Sequence, residues 1–332
     1  MRRPLLISPL LCLVAVLAGC GMGSAGAPQG QSVTLELDFT PNPIHAGIYT
    51  ALARGFDTGE GINLGVQAPG ATTDSVKLLQ TGQADFAILD IHDLALARER
   101  GIDLVGILAI VQRPLAAVIA APGIGSPSRL VGRTVGITGV PSDTAVLDSE
   151  VHGSGGDPRR VRTATIGFNA VAALLSHRVD AATAFWNDEG VTLARRRSGF
   201  HIFRVDDYGA PAYPELVLSA TRRSLNENPG AAHAVVRALV RGYGITLTDP
   251  ASSLADLESR VPGLDPRLAA AELSAEEPAL LGSAQNFGQL DLGRLRAWGR
   301  WERRVGIVRR PVDVTRAFDP SFVAGTASLI GQ

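Results

Sequence analysis

Cysteine is nearly absent from this chain, with two in 332 residues, at positions 12 and 20. Both fall at the N-terminal end, so the rest of the chain has no disulfide, no thiolate metal site and no cysteine nucleophile. The core must hold by burial, which a chain of this length can supply, and ordinary domain sizes imply about two domains. Lysine is scarcer still: Lys77 is the single one, and arginine supplies every other basic side chain. Net charge is −1, and no basic block exceeds short runs such as Arg195-Arg196-Arg197, which argues against nucleic acid as a partner. HExxH, GxSxG and CxxC are all missing, as are paired histidines at metal-ligand spacing, so no metal site is expected. His45, His92, His152, His177, His201 and His233 are scattered, and only His45 and His92 fall at expected sheet ends. A Ser/His/Asp triad is a matter of geometry and stays open.

What is present begins at the N-terminus. Arg2 and Arg3 precede an apolar run from Pro4 to Ala18, which is too short for a stable membrane span. A charged start, a short apolar stretch and small residues at the cut site describe a secretory signal over residues 1–19. The Cys directly after Leu17-Ala18-Gly19 resembles a bacterial lipobox, in which Cys20 is lipidated and becomes the first mature residue. A modification carrying several acyl chains anchors stably, whereas one chain does not. Residues 20–32 then read as the lipidated cysteine and a flexible tether.

From Val33 onward, strand-like and helix-like segments alternate, the pattern of an α/β sheet. VTLELDF reads as a strand, with a helix from Ile44 to Gly55 packing back on it. An internal echo says more. DSVKLLQTGQADFAIL, from Asp74, and NAVAALLSHRVDAATAF, from Asn169, each open with a helix-capping residue. Each continues with an apolar helical stripe, then reaches an Asp (Asp85, Asp180) and a small-residue strand, which implies two similarly built lobes. The segments Leu115–Ala120 and Glu215–Ala220 read as two crossings between them. Residues 33–117 with 219–332 would form the first lobe and residues 118–218 the second. Asn228 and Pro229 open a helix whose apolar face is Ala232, Val235, Val236, Leu239, Val240 and Tyr243. The remainder from Asp249 to Arg310 is expected to be mostly helical and to cover the first lobe.

Several stretches gather polar and aromatic groups at strand-to-helix junctions, where open α/β sheets bind ligands. In LDFTPNPIHAGIY, Asp38 and Phe39 end a strand and Asn42 follows in a rigid loop. His45 and Tyr49, four apart, share a helix face; a proline-fixed turn capped by Asn42 is the plainer reading. In GITGVPSDTAV, Ser142 and Asp143 open a helix after a glycine-rich turn, as a polar-ligand site or as ordinary caps. A phosphate loop is rejected, because the fuller glycine set and its lysine are missing. In ATAFWNDEGVTL, Trp186 stands beside Asn187, Asp188 and Glu189: a ring to stack on a flat heterocycle, with polar groups to read its edge. In DDYGAPAYPELVL, Tyr208 and Tyr213 flank a Gly-Ala-Pro turn before the second crossing. Asp90 and His92, after the strand DFAIL, are weaker additions.

The lipobox, the tether, the repeated lobe and the double crossing together resemble a substrate-binding lipoprotein of an ABC importer. More narrowly, LDFTPNPIHAGIY, GVPSDTAV, FWNDEGV and YGAPAYPELVL resemble the family that delivers thiamine pyrimidine precursors, related to the yeast thiamine pyrimidine synthase. That resemblance implies a two-lobed α/β fold of the periplasmic-binding-protein kind (type II) with two hinge crossings. It also implies a permease and its ATPase as partners, a membrane anchor through lipid, and no cofactor. In the family the first motif usually reads Leu-Asp-Trp-x-Pro-Asn-x-x-His; here Phe39 replaces the Trp, and Asn42 and His45 are kept. The Trp-Asn-x-Glu signature maps onto Trp186, Asn187 and Glu189, which implies a stacked pyrimidine with a carboxylate accepting from its exocyclic amine. The synthase branch implies a Schiff-base lysine and a cysteine-rich iron motif, and this chain has only Lys77 and no Cys beyond Cys20. A binding protein rather than an enzyme is therefore expected. It would close on its ligand, with Phe39, Asn42 and His45 on one side and Trp186, Asn187 and Glu189 on the other. The alternatives are another heterocycle such as riboflavin, a sulfonate- or nitrate-type anion, and a secreted hydrolase or synthase-like enzyme.

Overall fold

Two five-stranded sheets share one layout in the computed structural model, which describes residues 30–70, 75–140, 142–282 and 286–330. The signal segment, Cys20, most of the tether and the expected cap Asp74 lie outside the described residues. The first half supplies β1 (Gln31–Glu36), β2 (Ile62–Gln67), β3 (Phe86–Asp90) and β4 (Leu104–Ala109). The middle supplies β5 (Ala116–Ala120), β6 (Thr134–Ile137), β7 (Arg162–Thr165), β8 (Ala181–Phe185) and β9 (His201–Arg204), and β10 (Leu216–Thr221) follows. The sheet orders are β2-β1-β3-β10-β4 and β7-β6-β8-β5-β9. In each, three strands run parallel, and the fourth (β10 or β5) runs antiparallel to both of its neighbours. β4 and β5 are buried along their whole length, as expected of strands covered on both faces.

The chain therefore leaves the first sheet through residues 110–115 and returns through residues 205–215. β5 lies whole in the second sheet and β10 whole in the first. The passages are the loops ahead of these strands, whereas the sequence had put the strands themselves in that role. The internal echo has a physical basis. Asp85 Oδ2 accepts from the Thr34 N–H at 2.8 Å, and Asp180 Oδ2 accepts from the Thr134 N–H at 2.9 Å. Each Asp ties the end of a helix–turn to the strand beside it, in the same position of the two lobes.

The helix Pro229–Thr248 backs the first sheet, with Asn228 Oδ1 accepting from the Ala231 N–H and all six expected apolar residues buried. It crosses the helix Ala46–Ala53 closely: a Cβ on Gly242 would collide with the Gly47 carbonyl, and one on Gly47 with the Tyr243 ring. Glycine is required at this crossing. It lets the Tyr243 hydroxyl donate to the Ile44 carbonyl at 2.8 Å, which buttresses the loop carrying the first motif. The helices Pro250–Arg260 and Pro266–Leu281 extend the same core. The helix Leu292–Val305 inserts Trp298 and Trp301 behind the helix Ile91–Glu99 in a second cluster. No helix among the described residues is long and apolar enough to cross a membrane.

Candidate ligand-binding cleft

The first strand stops at Glu36, three residues earlier than its pattern implied, so Asp38 and Phe39 stand in the loop that follows. Pro43 opens a short 3-10 turn, Pro43–His45, which Asn42 caps by accepting from the Ile44 N–H at 3.0 Å. His45 is fully buried; its Nδ1 accepts from the Asn42 N–H at 3.2 Å, which leaves Nε2–H to donate to Asp38 Oδ1 at 2.9 Å. The turn, the cap and the histidine together aim one carboxylate.

That carboxylate lines a cavity of about 120 Å³ between the two sheets. At roughly 10–15 Å³ per water on this measure, there is room for about ten waters, or a ligand of about ten non-hydrogen atoms. Asp38, Phe39, Asp90 and Asp93 face it from the first lobe, and Ser142, Asp143, Phe168, Phe185 and Glu189 from the second. Five lining side chains are carboxyls, and no lysine or arginine lines the cavity among the described residues. Ser75 also lines it, and its buried hydroxyl has no partner among the described residues, leaving a polar group for a ligand to satisfy.

Burial makes several of these acids reluctant to ionise. It pushes Asp93 up to about 7, with nearby Asp90 adding to the rise, and Glu189 up to about 8, with Asp188 adding. Burial also raises Asp90 and Asp143. Near neutral pH the wall thus mixes O–H donors with carboxylate acceptors. The glycine-rich turn is occupied from within. Asp143 Oδ2 accepts from the N–H groups of Thr138 at 2.6 Å and Gly139 at 3.1 Å, and from the Thr138 hydroxyl at 2.6 Å. Val140 N–H donates to that same hydroxyl oxygen. The Thr138 and Gly139 amides expected to meet a ligand are therefore spent on Asp143.

The lobes touch on both sides of the cavity. Phe39 meets Phe168 edge to face, with centroids 4.8 Å apart. Asn42 Nδ2 donates to Asp188 Oδ2 at 3.2 Å, and Asn187 Nδ2 donates to Glu276 Oε2 at 2.8 Å. Asp90, His92 and Glu215 bring their ligating atoms within 4.8 Å of one another. Both His92 nitrogens are already engaged, Nδ1 by Glu302 and Nε2 by the Tyr213 hydroxyl at 3.1 Å, so the ring has no nitrogen free for a metal ion.

The family comparison fits this geometry. The NMT1/THI5-like family matches residues 42–253, more than half of the chain. The chain belongs to the NMT1/THI5-like family. Among its relatives is the formylaminopyrimidine-binding protein of Halalkalibacterium halodurans, 31% identical over 252 residues, covering 75% of this chain and 76% of that one. Another is the 4-amino-5-hydroxymethyl-2-methylpyrimidine phosphate synthase of Legionella pneumophila, 24% identical over 299 residues, covering 89% and 93%. The fold is that of the periplasmic binding proteins. The MOPS-bound alkanesulfonate-binding protein SsuA of Xanthomonas axonopodis pv. citri superposes with a TM-score of 0.70 at 16% identity, covering 89% of this chain and all of that one.

Within this NMT1/THI5-like cleft, Asp38, Phe39, Asp90, His92, Ser142, Asp143 and Glu189 reach the cavity, and the other candidate residues singled out in the sequence do not. Asn42 and His45 stand one layer back, holding Asp38 and the contact between lobes. Tyr49 is packed in the core of the first lobe, and Tyr208 packs on Phe203 in the second. Asn187 serves the bond to Glu276. Trp186 is turned to the hinge: its Nε1–H donates to the Pro114 carbonyl at 2.9 Å, and the Arg204 guanidinium covers its ring at 4.2 Å. Phe185, one residue earlier, takes the place at the wall. Trp186→Phe will therefore lower the unfolding free energy by about 1 kcal/mol, the worth of one hydrogen bond. It will change ligand affinity less than threefold by calorimetry, whereas a tenfold loss would put the indole back at the wall. The sequence had passed over Ser75, Asp93, Thr138, Phe168 and Phe185. Asp93 was findable, because it lies one helical turn beyond Asp90. Phe168 was findable as the aromatic just before the cap of the echoed helix.

Proposed function

We propose that the chain is an extracytoplasmic solute-binding protein of an ABC importer, lipid-anchored through Cys20, that captures a small aminopyrimidine by closing its two lobes. The cavity wall carries this reading: five carboxyls and three phenyl rings, with no lysine or arginine among the described residues and His92 as the one basic group. A protonated carboxyl can donate to a ring nitrogen while its carbonyl accepts from the adjacent amine, and a carboxylate can do the same for a protonated ring. The phenyl rings then cover the flat faces. Family membership and the formylaminopyrimidine-binding relative support the same ligand class. Contacts made with both lobes at once favour the closed form alone, so the ligand shifts that population and presents it to a permease.

A sulfonate or nitrate would meet a wall of acids and a turn whose amides Asp143 already fills. Riboflavin, with three fused rings and a ribityl chain, exceeds a cavity of about 120 Å³. The chemistry of a synthase is poorly supplied: Lys77 is exposed and lines no part of the cavity. For a hydrolase, no hydrogen bond joins a serine hydroxyl to a histidine ring among the described residues. The test is to purify the protein gently, denature it, and identify released small molecules by mass spectrometry. An aminopyrimidine is expected, with calorimetric binding of the same compound and none of an alkanesulfonate. Release of a sulfonate, or conversion of the pyrimidine to product, would overturn the reading.

A further inference from the structure

Glu215 is the last residue of the returning passage, and it is fully buried. Leu216 lies opposite Asp90 in the β3–β10 ladder, which sets Glu215 beside the start of the helix Ile91–Glu99. Its backbone N–H donates to the Val111 carbonyl at 3.1 Å, and its carbonyl accepts from the Ile91 N–H at 2.9 Å. Its side chain reaches across the outgoing passage, where Oε2 accepts from the N–H groups of Leu115 at 2.5 Å and Ala116 at 3.2 Å. One residue thus pins both passages between the lobes. The other oxygen, Oε1, is buried with no partner among the described residues, and the Asp90 carboxyl lies against this side chain, an oxygen of each within 4.8 Å of the other. Two carboxyls in such contact attract only if one of them holds a proton.

We propose that Glu215 is a positioning residue of the hinge: through a proton shared with Asp90, it ties the cavity wall to both passages, so that occupancy of the cavity sets the hinge. The proposal rests on the hinge-closure reading and gives it a mechanism. A ligand donor at Asp90 draws negative charge onto that carboxyl, and the shared proton passes to Glu215. Neutral Glu215 then bonds Asp90 through its O–H and keeps Oε2 on the Leu115 and Ala116 amides, which fixes the spacing of the passages. The other titratable groups facing it are His92 from the helix Ile91–Glu99 and Tyr213 on its own passage, with Glu302 behind His92. Burial, with Asp90 adding, pushes Glu215 up to about 8 from its ordinary 4.5. With the folded value raised, the contribution of this carboxyl to stability is whole below the ordinary value and is lost as pH rises through about 8.

Glu215→Gln keeps a carbonyl for the two amides and offers Asp90 an N–H at every pH, whereas Glu215→Ala offers neither. Unfolding of the ligand-free protein, followed from about pH 5 to 9, separates them. The wild-type midpoint should fall relative to Glu215→Gln up to about pH 8, and the gap should then hold steady. Asp90→Asn should remove the same slope, and the double variant should remove no more. In calorimetric titration with a formylaminopyrimidine at pH 7, Glu215→Gln should bind within threefold of wild type and Glu215→Ala at least tenfold more weakly. Parallel unfolding profiles for wild type and Glu215→Gln, or wild-type affinity in Glu215→Ala, would overturn the proposal. A wild-type protein that binds no heterocycle would instead overturn the function above, while the unfolding profiles still decide whether the proton is shared.

Discussion

Asp38→Asn will weaken aminopyrimidine binding by about 10- to 150-fold, the worth of one charge-assisted hydrogen bond of about 1.5–3 kcal/mol. The substitution is chosen for what it spares. Asparagine keeps an oxygen for His45 Nε2–H, so the turn, the Asn42 cap and the contact with Asp188 stay in place. Only the charge and the acceptor capacity at the cavity wall change. Asp38 is nearly buried, so the loss will resist added salt, as expected of a charge held away from solvent. Calorimetry at two ionic strengths measures both points. Unchanged affinity would remove Asp38 from the site and leave His45 as a core histidine with a buried partner.

The largest stability effect is expected at His92. Its ring is enclosed by Glu302, Tyr213, Trp298 and Trp301, and neither member of the His92–Glu302 pair reaches solvent. Burial pulls the imidazole down, but Glu302 and Asp90 outweigh it and push it up to about 10. His92→Leu leaves Glu302 buried without a counter-charge and will cost about 3–5 kcal/mol. Adding Glu302→Leu will recover part of that loss, since an apolar pair removes both desolvation penalties. The Tyr213 hydroxyl remains short of its partner, so recovery is incomplete. The pH dependence follows from the raised folded value. The stabilisation is whole below the ordinary histidine value of 6.5 and is lost as pH rises through about 10, so denaturant unfolding of wild type will weaken across that window. The double variant will lack this contribution; the same alkaline decline in both proteins would refute the pairing.

The features legible in the sequence were those fixed by local chemistry. Asp85 and Asp180 were visible as echoes because each bonds a strand amide through a short, repeated unit. The helix opened by Asn228 and Pro229 was visible because its cap and apolar face lie within the segment itself. Side-chain direction at the end of β8 was not, since one step along a strand reverses the face, and Phe185 rather than Trp186 meets the cavity. The role of the GITGV turn was hidden for a different reason. Its amides are exposed by local geometry, and only the fold of Asp143 back onto them shows that they are taken. Phe168 and Phe39 are far apart in sequence, and nothing local announces that they meet.

The placement of β10 has a consequence for how the molecule is assembled. It lies between β3 and β4, so the sheet begun by the earliest strands keeps a gap between those two until Leu216–Thr221 arrives. All the strands of the second sheet come from one unbroken stretch, Ala116–Arg204, and need nothing from either end. On a chain emerging from its N-terminus, the inserted lobe can finish first, and the lobe that begins the polypeptide is the last to be sealed.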